Sequence, residues 1–155
     1  MRKNMKKFTS LLLMLSLCVS MALAQNPLNN KADNILGDYQ GVQNGEPFKT
    51  HITKLSNGTY KCQIYWVKNA TDKNGKTRLD ENNPDKSLRS VRCDQIVLFK
   101  GLKYDAKNKE WSGCKIYDPQ RGINANCTIV FDKDGRLKVS GKILGIGETV
   151  YWKKL

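Results

Sequence analysis

Between Thr59 and Val67 the side chains Tyr60, Cys62, Ile64 and Trp66 alternate with Lys61, Gln63 and Tyr65. A period of two places these sets on opposite faces of an extended strand, whereas a helical face repeats at about 3.6 residues. The same alternation returns in Phe48 to Leu55, where Phe48, Thr50 and Ile52 share a side, and in Ile123 to Phe131, where Ile123, Ala125, Cys127, Ile129 and Phe131 do. Arg136 to Ile143 sets Leu137, Val139, Gly141 and Ile143 against Arg136, Lys138, Ser140 and Lys142. Ile35 to Val42, Glu110 to Asp118 and Glu148 to Lys154 read as further strands, and the apolar run Gln95 to Phe99 is expected to be covered on both faces. Turn residues separate them: Gln43-Asn44-Gly45-Glu46-Pro47, Ser56-Asn57-Gly58, Pro119-Gln120-Arg121-Gly122, Asp132-Lys133-Asp134-Gly135 and Gly145-Ile146-Gly147. Eight strands and no helix follow, so the chain is all-β.

Eight consecutive antiparallel strands joined mostly by short turns suit a single up-and-down barrel, because closure removes the edges along which open sheets aggregate. A barrel of that strand number either fills its interior with side chains or holds one small ligand. The same pattern permits a two-sheet β-sandwich as the alternative.

The first residues belong to a different kind of sequence. Arg2, Lys3, Lys6 and Lys7 precede the apolar stretch Leu11 to Ala24, which ends in Ala22-Leu23-Ala24. That order is expected of a cleavable secretory signal over residues 1–24, cut after Ala24. Its 14 apolar-stretch residues fall short of the roughly 18 that an anchoring span needs. Removing residues 1–24 leaves 131 residues and lowers the net charge from +13 to +9, because four of the cations and no acid lie there. A cytosolic enzyme, a membrane-spanning protein and a two-domain protein are disfavoured; a periplasmic or secreted bacterial domain is expected. Cys18 invites a lipid-anchor reading, but Leu17 stands where a small residue is needed. Residues 25–34, rich in Asn and without period, are expected to be a flexible leader to a domain spanning 35–155.

Four cysteines remain, Cys62, Cys93, Cys114 and Cys127, in a compartment that permits disulfides. If the Glu110 and Ile123 strands pair about the Pro119 turn, Cys114 and Cys127 oppose each other on one face, at a separation of about 4.5–5.5 Å between Cβ atoms. Cys62 with Cys93 would tie the ends of the long polar gap; four free buried thiols are the alternative.

Few residues suit catalysis. His51 is the sole histidine, mid-strand, and is expected to be exposed or hydrogen-bonded in a structural role. The cysteines lack zinc or thioredoxin spacing, no Gly-rich phosphate loop or nucleophile elbow occurs, and Asp72-Lys73-Asn74-Gly75 is a turn, since Lys76 occupies what would be a calcium-ligand position. No metal, cofactor or enzymatic activity is expected. The gap Lys68 to Arg92 is longer than compact domains usually leave unstructured. It holds Asp80, Glu81, Asn82, Asn83, Asp85 and Arg89, with Pro84 placed to open a helical turn through Leu88. This loop either covers a barrel mouth and contacts a ligand, or is a cap whose Asp and Asn side chains bond its own backbone. The inward set Tyr60, Ile64, Trp66, Leu137, Val139, Val150 and Trp152 lines a pocket or fills a solid core. The cations are spread over strand exteriors (Lys61, Lys115, Lys138, Lys142, Lys153, Lys154) without interleaved aromatics, which argues against nucleic acid and for anionic lipid or glycan surfaces or simple solubility.

Trp111-Ser112-Gly113, Ile116-Tyr117-Asp118-Pro119 with Gly122, Asp80-Glu81-Asn82-Asn83-Pro84-Asp85 and Leu88-Arg89 together resemble the exported bacterial proteins of domain of unknown function family 2147. The resemblance covers about residues 35–155 and implies a lipocalin-like barrel. Gly37-Asp38-Tyr39 also looks like the Gly-x-Trp motif that opens lipocalin barrels, with Tyr in place of Trp. Cys114 stands where the family usually has a second Gly, and the Gly145-Ile146-Gly147 segment is shorter than the usual closing stretch. No catalytic residue is implied, since the family's activity is unknown.

The expected function is binding of a small apolar or amphipathic ligand, with Tyr60, Trp66, Asp80, Asn82, Asn83, Asp85, Arg89, Tyr117 and Trp152 as candidate contacts. A protein-interaction module of the envelope, an inhibitor or assembly factor with no internal ligand, is the alternative. A hydrolase using the loop carboxylates is a third reading.

Overall fold

The computed structural model describes residues 25–155; the expected signal segment and Cys18 lie outside the described residues. Eight strands follow in chain order: β1 Gly37–Gln43, β2 Glu46–Lys54, β3 Tyr60–Val67, β4 Val97–Asp105, β5 Glu110–Asp118, β6 Ile123–Phe131, β7 Leu137–Ile143 and β8 Ile146–Lys154. Each pairs antiparallel with its neighbour, and β1 meets β8 through Tyr39 opposite Lys154 and Gln40 opposite Lys153. The sheet is therefore a closed up-and-down barrel, and the sandwich alternative is excluded.

Strand alternation and turn parity fix what lies where. The β1–β2, β3–β4, β5–β6 and β7–β8 connections gather at one end, which forms the mouth. The remaining connections and both ends of the described residues gather at the other, and that end is sealed. Ile35, Tyr39, Tyr60, Leu102, Trp111, Ile129, Phe131 and Leu137 are all but inaccessible there. Trp111 stacks edge-on to Phe131 at 5.8 Å between centroids and leans on Tyr104 at 5.1 Å.

Three expectations are corrected. First, residues 25–34 do not fray. They form two 3-10 turns, Pro27–Asn30 and Ala32–Ile35, laid across the sealed end. Asn29 is fully buried and behaves as one more rung of strand pairing, its amide donating to Phe131 O at 2.9 Å and accepting from Phe131 N at 2.7 Å. The indole of Trp111 donates to Ala32 O at 2.9 Å, and the Tyr60 hydroxyl donates to Asp33 Oδ1 at 2.6 Å. The composition that looked unstructured supplies backbone-mimicking amides.

Second, Trp66 points outward. The β2–β3 register shifts so that Thr50 opposes Ile64 while Lys49 opposes Trp66 and Phe48 opposes Val67. The extra residue, Tyr65, is a bulge that reverses the parity beyond it. Trp66 is 40% exposed and lies beneath the Lys49 ammonium, 5.2 Å from the ring centroid, while Val67 takes the place facing Phe48. Third, the fourth strand starts and ends later than expected, at Val97 and Asp105, and Val97 is exposed instead of covered. A register shift between Cys62 and Gln63 turns both Leu98 and Phe99 into the core.

Gly41 shows how closely the middle of the barrel is filled. A Cβ there would stand 2.5 Å from the Phe48 ring and 2.8 Å from the Trp152 indole, which pack edge-to-face with centroids 5.8 Å apart. Gly41→Ala should cost about 1–3 kcal/mol, the usual range for overpacking, read as a lowered urea midpoint at unchanged slope.

Candidate functional site

Above the Phe48–Trp152 pair the interior opens into a cavity of about 650 Å³, within the roughly 300–1,000 Å³ typical of small-molecule sites. Its apolar wall includes Phe48, Ile64, Leu98, Ile116, Val139 and Trp152. The space exists because two adjacent inward positions on β6 and β7 carry little volume: Gly141 and Ala125 lie side by side, a Cβ on Gly141 being 3.1 Å from that of Ala125. Larger side chains there would project into the bore.

The rim is polar on one side. Arg121 donates through Nε to Asp118 Oδ2 at 2.6 Å and spans the opening to Glu148, giving Nη1 to Oε1 at 3.0 Å and Nη2 to Oε2. Asp118 also accepts from Gln43 Nε2 at 2.8 Å and from the backbone amides of Gln120 and Arg121. Partial burial pushes the Asp118 carboxyl up, but the guanidinium and the Gln43 amide outweigh it and hold the group below the usual carboxylate range. Glu148 is likewise lowered by Arg121, and the Arg121 guanidinium is raised by both partners. A lowered folded-state pKa stabilises the fold above the unfolded value of about 4 and ceases to do so as pH falls through the folded one. Asp118→Asn should therefore lower stability by about 1 kcal/mol near neutral pH, and the difference from the parent should shrink as pH falls below the unfolded value of about 4, as read by denaturant titrations at descending pH.

The other side of the rim is apolar and uncovered. Leu144, at the tip of the β7–β8 turn, is 99% exposed and Ile146 is 79% exposed, and both line the cavity opening.

The long loop 68–92 stands at the mouth end, yet its residues form no part of the cavity wall. Two isolated bridges, Thr71 with Thr77 and Leu79 with Arg92, fold it on itself, and Lys86–Leu88 makes the short turn after Pro84. Asp80, buried, accepts from the Tyr117 hydroxyl at 2.7 Å and from Asn83 Nδ2 at 2.7 Å. Asn83 returns its side-chain oxygen to Asp85 N and its carbonyl to Arg89 Nε at 2.7 Å. Asp85 caps Ser87, which lowers its pKa. Asn82 donates to Pro119 O and Gln120 O. Gly122 packs so closely on Asn82 that a Cβ would lie 2.2 Å from its carbonyl oxygen, at a φ of +65°. The self-bonded cap is thus the arrangement present. Asp80, Asn82, Asn83, Asp85 and Arg89 hold the loop and brace the β5–β6 turn, because short Asx side chains satisfy nearby amides sooner than they reach a distant pocket.

Of the other candidates, Tyr117 and Trp152 line the cavity. Tyr60 is buried at the sealed end and Trp66 lies outside. The polar rim residues Gln43, Asp118, Arg121 and Glu148 were missed. Their signal was faint: Glu148 is a charge at an inward-parity position of β8, two residues before Val150. His51 is on the barrel exterior, bonded to Asp38.

All four cysteines among the described residues are free thiols. Cys114 stands opposite Cys127 as expected, with the β5 bulge just before it, and their thiols interact: Cys114 is lowered and Cys127 raised by the shared proton. Cys62 and Cys93 are not partners. Cys62 is in the core facing Thr50, whereas Cys93 sits on the long loop against Ala70 O at 3.8 Å.

A family model described as an uncharacterized protein conserved in bacteria (DUF2147) matches residues 37–154. Among solved structures the chain is similar to the Helicobacter pylori protein HP1028, described as belonging to the lipocalin family, at 21% identity and a TM-score of 0.59, covering 77% of this chain and 82% of that one. At that identity the likeness speaks to fold alone. No curated protein matches.

Proposed function

The chain belongs to the DUF2147 family of uncharacterized bacterial proteins, and we propose that this member is an exported carrier or receptor that holds a small apolar or amphipathic molecule in its barrel. The observation that carries the reading is the apolar cavity of about 650 Å³, closed below by Phe48 and Trp152 and open above. The lipocalin-like fold is consistent with it. The loop carboxylates are consumed in bracing the loop, which supports a binding role over a hydrolytic one.

Native mass spectrometry of the protein purified from its own envelope, together with displacement of an apolar fluorescent probe, tests the proposal. A co-purifying small molecule, or saturable probe binding that quenches the Trp152 emission, is expected. A chain of bare mass that binds no apolar probe would sink it.

Export into an oxidising compartment is part of the same proposal and rests on the charged, apolar, small-residue order of residues 1–24. There the facing thiols of Cys114 and Cys127 are proposed to become a disulfide, with a dithiol oxidase or glutathione disulfide accepting the two electrons and two protons. Mass analysis after alkylation should find Cys62 and Cys93 modified and a peptide pair linked through Cys114 and Cys127; four alkylated cysteines in protein taken from the periplasm would refute the link.

The exposed lip of Leu144 and Ile146 favours a second reading, an envelope protein-interaction module. Loss of a captured envelope protein on Leu144→Ser/Ile146→Ser, with probe binding intact, would support that reading.

A further inference from the structure

A free arginine at a barrel mouth would offer an anionic head group an obvious partner. Here the guanidinium is already committed. Nε serves Asp118, and Nη1 and Nη2 form a fork on Glu148. This bidentate arrangement is the strongest that Arg makes with a carboxylate. An incoming carboxylate would have to displace Glu148 and would still face Asp118.

The charges around the opening can be counted. Asp118 and Glu148 contribute two negatives against one positive from Arg121. Behind Tyr117 the long loop adds one acid and one cation, Asp80, which accepts from the Tyr117 hydroxyl, and Arg89, which donates to Asn83 O. Lys142, the nearest β7 lysine, has outward parity between the inward Gly141 and Ile143 and is paired with Gly147. The charged side chains that line the cavity, Asp118, Arg121 and Glu148, therefore sum to a net negative charge on a chain whose overall balance is strongly positive. The lining charges act on a head group at the closest range, and solvent screens charges beyond about 8–10 Å. Glu148 and Asp118 both line the opening, so a head group seated at the rim meets their carboxylates directly.

We propose that the cavity is selective for amphiphiles with a cationic head, such as a long-chain amine, whose ammonium docks on Glu148 and Asp118 while its tail occupies the apolar bore. The inference rests on the ligand-binding reading above and assigns its substrate class. Glu148 has inward parity on β8, in the same row as Val150 and Trp152, so a tail lying along that row brings its head to the carboxylate. Glu148, with its side chain 61% exposed, uses one lone pair of each oxygen in the fork, so an ammonium can add at the remaining ones without displacing Arg121.

The test compares three single-chain probes of equal tail length, dodecylamine, dodecanol and dodecanoate, by calorimetry or probe displacement below their micelle concentrations. The amine should bind about tenfold or more tighter than the carboxylate at low salt, with the gap shrinking as salt is raised. Glu148→Gln should free the guanidinium fork and reduce the amine-to-carboxylate ratio to about threefold or less, or reverse it. Equal binding of all three probes, or tighter binding of dodecanoate, overturns the charge selectivity and leaves the ligand-binding reading standing. Binding of none removes both. A ratio unchanged in Glu148→Gln overturns the assignment of that residue. Because Glu148 is a rim residue, the variant's thermal midpoint should stay close to the parent's, which separates lost selectivity from lost fold.

Discussion

Asn29→Ala should lower the unfolding free energy by about 2–5 kcal/mol, because it leaves two buried backbone groups without partners at about 1–3 kcal/mol each. Those groups are the N–H and C=O of Phe131, which the Asn29 amide engages at 2.7 and 2.9 Å in a site with no solvent access. Its own carbonyl accepts from the Tyr104 hydroxyl at 2.7 Å and, being backbone, survives the substitution, so the loss isolates the side chain. A drop in thermal midpoint of about 10 °C or more is expected for a domain of this size, followed by circular dichroism. An unchanged midpoint would mean that residues 25–34 do not cover the barrel in solution.

Ala125→Phe should abolish amphiphile binding while the barrel still folds. The ring would enter the space that Ala125 and Gly141 leave open and occupy the part of the cavity nearest Ile116 and Val139. Affinity for an apolar probe should fall by about a hundredfold or more, close to 3 kcal/mol. Filling a void is tolerated far better than forcing a packed site, so any stability change should stay below the roughly 1–3 kcal/mol of overpacking. Gly41→Ala supplies the contrast, since Gly41 sits where Phe48 and Trp152 already touch. Loss of binding together with collapse of the fold would show that the cavity is an integral part of the packing instead of reserved space.

The barrel was legible because period-two alternation is dense in β3, β6 and β7 and because turn residues punctuate the chain at short intervals. The pairing of β1 with β8 was legible only by the argument against open edges. Trp66 was misread because a bulge at Tyr65 changes parity without a glycine or proline to announce it; only the pairing of Lys49 with Trp66 exposes it. The leader was misread because an Asn-rich stretch looks the same whether its amides meet water or the ends of strands. The cavity was present in the alternation as an absence of volume, Ala125 and Gly141 at adjacent inward positions. The acids of the long loop are the more conspicuous feature, but their short side chains are bound to that loop and to the β5–β6 turn.

Asn26 holds Asp132 O near the start of the described residues, and Leu155 N is bound to Asp38 O at their end. Both therefore leave the molecule at the pole opposite the opening. Any tether, whether an acyl group, an affinity tag or an immobilising surface, points the orifice away from its point of attachment. A copy moored at that pole would turn its Leu144 tip away from the mooring surface, whereas a freely diffusing one can present it in any direction.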